Sequence, residues 1–225
     1  WGTSWGVSTR LVGALIMTHS DDKGLVLPPN LAPIQVVLIP IFNSEEEFKS
    51  VSDKIKYVGK KLKSKNITIK IDDRKNYKPG WKFSEYELKG IPIRIVLGPK
   101  DLENNTVEVA RRDELSKEII DIDQVDIIVP RLLEEIQINL FDKAKNFREE
   151  NTYHVKDYNE FKETIKNKGG FIYAHWDGSK ETENLIKKET KATIRCIPMD
   201  YETNPGKCIV TGKKSKGLVV FGKAY

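Results

Sequence analysis

The chain has 225 residues, 39% hydrophobic and 32% charged, with 38 lysines and arginines against 33 aspartates and glutamates for a net charge of +5. This excludes a disordered polymer and allows one large core or two modest ones, while the charge is a mild bias toward polyanions rather than the footprint of a dedicated DNA binder. Two cysteines, Cys196 and Cys208, are too few for a disulfide scaffold and lack metal-pair spacing, so a reducing, cytoplasmic setting is expected; the longest apolar stretch, residues 31–42, is too short and too interrupted by proline to span a bilayer.

The chain opens on Trp1 and the glycine-rich run WGTSWGVSTRLVGALIM, which reads as a cut through the middle of a domain. Residues 3–17 mix small residues with β-formers and suit a buried strand running into a helix near residues 11–18. Pro28, Pro29 and Pro33 mark a stiff connector, where the first domain boundary falls. The β-branched run IQVVLIPIF is a buried strand. Ser44 and Glu47 after it form a capping-box signature, and Phe48, Val51, Ile55, Val58 and Leu62 make one apolar helical stripe.

ITIKI predicts a second strand, residues 81–89 a short helix stopped by Gly90, IPIRIVL a third strand and residues 106–111 a fourth. Strands alternating with helices indicate a mixed or parallel sheet covered by helices. A long amphipathic helix follows, with Val125, Ile128, Leu132, Leu133, Ile136, Leu140, Phe141, Ala144 and Phe147 on one side and Pro130 as a kink or a true start. From about Tyr153 the pattern is a small α+β unit, with helices over 158–166 and 181–188 and a strand over 171–175. Two patterns are set aside. GKCIVTGKKS has the wrong spacing for a phosphate loop, and His19, His154 and His175 suggest no metal or triad pairing.

Three stretches carry a family resemblance. GTSWGVSTR resembles the third signature motif of class II aminoacyl-tRNA synthetases. THSDDKGLVLPPNLAPIQVV resembles the prolyl-tRNA synthetases, and DDRKNYKPGWKFSEYELKGIPIRIVLGPKD resembles the anticodon-binding domain of their archaeal and eukaryotic type. The resemblance implies residues 1–30 as the end of the class II catalytic domain, 31–122 as the anticodon-binding domain, and 123–225 as a linker helix and C-terminal α+β domain. It further implies ATP-dependent attachment of proline to tRNA(Pro) through prolyl-adenylate, Mg²⁺ with ATP, and a homodimer. Ser8 and Arg10 are then expected at ATP, and Ser4, Trp5 and Gly6 at the proline pocket.

Proline tRNA presents guanines at the second and third anticodon positions, and guanine offers both acceptors and donors on its edges. A carboxylate with arginine or lysine is a chemical set able to read both, and at the positions that match the family motif the resemblance implies Glu87 in ELKG, Arg94 in IPIR and Lys100 in GPKD. Trp81, Phe83 and Tyr86 are available for stacking, with two of the three expected in the core. The tail from HWDGSKETENLIKK to the final Tyr225 resembles the family's C-terminal domain, which in many relatives holds a structural zinc through four cysteines. Here the corresponding places are Trp176 or Asp177, Thr182, Cys208 and Thr211, so no structural zinc is expected and a hydrophobic or hydrogen-bonded replacement is. The rival readings are a stand-alone RNA-binding module without catalysis and an interaction domain with an exposed apolar patch.

Overall fold

Wherever β-branched runs alternate with capped amphipathic stretches, the chain forms the strands and helices that the pattern predicts. The computed structural model describes residues 2–200 and 204–223, so Trp1 and the terminal Tyr225 lie outside the described residues. Two compact units result, Trp1–Ala144 and Lys145–Tyr225.

The first unit begins with helix α1 (Arg10–His19), none of whose residues is buried. The strand expected before it does not form: residues 2–8 have no regular structure. A strand needs a neighbour to take its N–H and C=O groups, and none of the described strands lies beside this segment. Trp5, Val7, Leu11 and Val12 stay exposed accordingly.

Strand β1 (Val36–Pro40) is buried along its whole length, as befits a central strand covered on both faces. Helix α2 (Glu45–Ser64) follows, its Ser44 hydroxyl accepting from the Glu47 amide at 3.2 Å and the Glu47 carboxylate from the Asn43 amide at 2.7 Å. Val51, Ile55, Val58 and Leu62 are its buried stripe.

Next come β2 (Ile69–Ile71), α3 (Pro79–Leu88) with proline in its first turn, β3 (Ile93–Leu97), α4 (Pro99–Glu103), β4 (Thr106–Arg111) and β5 (Lys117–Asp121). The sheet order is β2-β1-β3-β4-β5, parallel from β2 to β3 and antiparallel beyond. Pro40, the last residue of β1, is paired only with β3, where its missing donor costs no ladder bond on the β2 side. Helix α5 (Val125–Glu150) runs through Pro130 and adds Val125, Val129, Leu132, Leu133, Ile136 and Leu140 to the main core.

The second unit contains β6 (Thr152–His154), α6 (Tyr158–Asn167), β7 (Phe171–His175), α7 (Lys180–Thr190), β8 (Ala192–Cys196), the two-residue strands β9 (Gly206–Lys207) and β10 (Lys214–Ser215), and β11 (Leu218–Lys223). Its main sheet has the order β6-β7-β11-β8. Phe161, Ile165 and Ile186 of the two helices pack on Ile172, Ala174, Val219 and Phe221, closing a separate small core over one sheet face. The mixed-sheet α/β unit and the small α+β unit expected from the sequence are both present.

Candidate functional site

Alternation along β3 sends Ile93, Ile95 and Leu97 into the main core and turns Arg94 to the opposite face, beneath α3. There the last turn of α3 presents Glu87. Arg94 Nη1 donates to Glu87 Oε1 at 3.1 Å, with the Arg94 side chain 8% exposed and that of Glu87 34%. The guanidinium carbon lies 4.0 Å from the centre of the Phe83 ring. Arg94 Nε is buried and has no hydrogen-bond partner. The two residues line a cleft of about 190 Å³ together with Tyr86, Ile91, Arg111, Arg112, Lys23 and Lys117. A buried cation with spare donors beside a half-exposed carboxylate can donate to and accept from one flat polar ring.

Arg112, just past β4, is itself buried and supports this wall. Its Nη1 and Nη2 meet the two Asp21 oxygens at 2.8 and 2.6 Å, its Nε donates to the Glu87 carbonyl at 3.0 Å, and Nη2 also reaches the Gly24 carbonyl at 3.2 Å. One side chain thus ties the end of α3 to the turn that carries Lys23. The Arg112 guanidinium lowers the Asp21 carboxyl to about 2. Gly90 allows the close approach: its φ is +69°, and a Cβ there would lie 2.6 Å from the Leu25 carbonyl oxygen.

A second polar cluster sits under the start of α3. Asp72 is buried and accepts from Arg74 Nε at 2.8 Å, Arg74 Nη2 at 2.7 Å and the Tyr86 hydroxyl at 3.1 Å. The equally buried Lys82 ammonium is 3.6 Å from its carboxylate. Burial opposes ionisation of Asp72, yet these partners hold it well below the usual carboxylate range, while burial lowers Lys82 and pushes the Tyr86 phenol up to about 12. Arg74 also pairs with Glu85 and lies over the stacked rings of Tyr77 and Trp81. Of the three aromatics flagged for stacking, Tyr86 is buried, Phe83 is half-buried against the Val37 and Ile39 cluster, and Trp81 is 48% exposed.

The other predicted site residues are placed apart. Lys100 lies in α4, beyond the far end of β3 from Arg94, and does not line the cleft. Ser4, Trp5 and Gly6 belong to the exposed irregular segment. Ser8 accepts from the Arg10 amide at 3.3 Å at the start of α1, with both side chains exposed and no second element enclosing them.

The places compared with zinc ligands do converge, but on hydrogen bonds. Asp177 Oδ2 accepts from Thr182 at 3.0 Å and from Thr211 at 2.9 Å, while Oδ1 accepts from the Ser179 hydroxyl at 2.8 Å. Cys208 is buried in the turn that carries Thr211. A carboxylate whose oxygens are occupied by hydroxyls is a poor fit to a closed zinc site, which needs thiolate or imidazole ligands. Arg112 and Asp21 are the positioning residues that sequence reasoning did not single out. The alternation that turns Arg112 inward while Arg111 stays half-buried is the one signal that pointed to it.

Residues 35–131 match the family of anticodon-binding domains, and residues 158–225 match the prolyl-tRNA synthetase C-terminal domain. The whole chain is 60% identical to the proline–tRNA ligase of Parabacteroides distasonis, covering 45% of it, and 57% identical to that of Amoebophilus asiaticus, covering 46%. It is 56% identical to that of Christiangramia forsetii, again over the full chain and 46% of the relative. The chain therefore spans about half the length of the curated relatives it matches. With both family matches along the chain and this identity throughout it, the chain belongs to the prolyl-tRNA synthetase family.

Proposed function

We propose that this chain is the tRNA-reading part of a proline–tRNA ligase, an enzyme that attaches proline to tRNA(Pro) in an ATP-dependent reaction through prolyl-adenylate. The observation that carries the reading is the Arg94–Glu87 pair in a cleft sized for a single heterocycle. Glu87 accepts from the guanine N1 and N2 donors, and Arg94 donates to O6 from its uncommitted nitrogens. Lys100, at the other end of β3, serves the neighbouring guanine or its phosphate.

The activity of the complete protein belongs to the same proposal. Ser8 and Arg10 contact ATP, which is bound with Mg²⁺; the Arg10 guanidinium suits a phosphate. Ser4, Trp5 and Gly6 line the proline side. Homodimerisation, a cytoplasmic setting, a C-terminal domain without structural zinc, and the archaeal and eukaryotic type of the family complete the reading. So do the domain limits 1–30, 31–122 and 123–225.

The direct test is binding of tRNA(Pro) to the 225-residue chain by filter retention. Arg94→Ala is expected to weaken binding by about tenfold or more, and the loss should vanish against a tRNA whose two anticodon guanines are replaced. A loss below about 1 kcal/mol on the native tRNA counts against guanine reading.

A further inference from the structure

The second unit has one sheet face covered by α6 and α7, while the other face is flanked by the last turn of α5, which contributes Arg148 and Glu149. On that second face, pairing sets His154 beside Tyr173 and Val220, and Thr152 beside Phe171 and Gly222. His154 is exposed, Phe171 is 41% exposed, and the His154 and Tyr173 rings are stacked with centres 4.8 Å apart and planes 12° from parallel. The pairing of β11 with β8 shifts register at Val220 and Phe221. That irregularity lets Arg195 and Cys196, neighbours in sequence, line the same cleft instead of pointing to opposite faces.

Arg195 lies across β11, its Nε donating to the Gly222 carbonyl at 3.1 Å. The absent side chain at Gly222 makes room for it: a Cβ there would sit 3.3 Å from Arg195 and 3.4 Å from the Phe171 ring. Two confluent clefts of about 740 and 1160 Å³ share Arg148, Phe171 and Arg195. Lys166, Lys168 and Lys223 add to the rim, and among the described residues Glu149 is the one acidic residue in either lining.

We infer that this face is a second RNA-binding surface, on which unpaired nucleotides stack against Phe171 and the Tyr173–His154 pair while Arg148, Arg195 and Lys223 take the phosphates. Flat rings on adjacent sheet strands inside a cationic rim fit an unpaired polynucleotide, since every base has a π-face and every linkage a negative charge. A duplex, whose bases are already stacked on one another, cannot use the rings. The surface is independent of the guanine-reading cleft in the first unit.

The test uses the 225-residue chain and a fluorescein-labelled ten-nucleotide oligouridylate, which contains no guanine, followed by fluorescence anisotropy. Binding should weaken with added salt, and Phe171→Ala and Tyr173→Ala should each reduce affinity about tenfold. Tyr173→Phe should retain it. Circular dichroism of each variant separates lost binding from lost folding, and Arg195→Glu, which truncates no ring, provides a second means of disruption. Absence of oligouridylate binding, equal binding of duplex RNA, or affinity indifferent to Phe171 and Tyr173 would overturn the inference. So would a sedimentation mass showing that Phe171→Ala disrupts a dimer, because the face would then be covered by a second copy. If Arg94→Ala abolishes tRNA(Pro) binding while oligouridylate binding never occurs, the first-unit reading stands and this one fails.

Discussion

Asp21 and Arg112 are 91 residues apart in the chain, and both carboxylate oxygens meet the guanidinium fork, at 2.6 and 2.8 Å. The arrangement is one-sided, because the Arg112 side chain is 2% exposed and that of Asp21 43%. Removing the aspartate leaves a buried cation without its counter-ion. Asp21→Ala is expected to cost about 2 kcal/mol, seen as a lower urea midpoint with unchanged slope. Because Arg112 also holds the Glu87 carbonyl, on the proposed reading the same variant should weaken tRNA(Pro) binding without touching a base.

The Gly90 turn makes a backbone prediction. Gly90→Ala places an L residue at a φ of +69° with its methyl 2.6 Å from a carbonyl oxygen. A loss of about 2 kcal/mol or more is expected, again read from the denaturation midpoint.

The Asp72 cluster predicts an asymmetry. Asp72→Ala strands the buried Lys82 ammonium and should cost about 3 kcal/mol. Lys82→Met leaves Asp72 with Arg74 and the Tyr86 hydroxyl, removes a charge that burial already disfavours, and should cost less than about 1 kcal/mol. Equal losses in thermal denaturation would contradict this assignment of roles.

In the second unit, burial tends to raise the Asp177 carboxyl, but hydrogen bonds from Ser179, Thr211 and Thr182 outweigh it and bring it down to about 2. A depressed carboxyl contributes stability that is full above its unfolded value of 3.8 and is lost as pH falls through about 2. Acid titration from pH 5 to 2, followed through the Trp176 indole N–H, which donates to the Ser179 carbonyl at 3.0 Å, should show this loss. Asp177→Asn should be less stable at neutral pH and should lack that part of the acid transition.

What the sequence made legible follows from period and capping. The α2 stripe, β1, β3, β4 and both helices of the second unit stand out because their apolar spacing is regular and their ends carry Ser, Asp, Pro or Gly signals. The edge strand β5 was missed because, of KEIID, only Ile120 is buried, so no alternation marks it. The helix α4 is five residues long, too short to show a helical period.

Glu87 and Arg94 were accessible only through the family resemblance; as residue types they are ordinary members of a charged chain. Nothing local identifies Asp21 as the partner of Arg112, because that contact exists only once β4 and the N-terminal turn are brought together. The segment around Trp5 shows the reverse limit. β-forming composition cannot produce a strand without a neighbouring strand to bond to.

Arg94 is held between the Phe83 ring and the Glu87 carboxylate before any ligand arrives. The rotamer freedom of a long side chain, worth about 2 kcal/mol for arginine, is therefore lost during folding rather than during association. On the proposed reading, a base would enter this cleft with little rearrangement, and encounter rather than reorganisation would set the association rate. A lysine in the same place would carry the same charge but would have to be immobilised at each encounter.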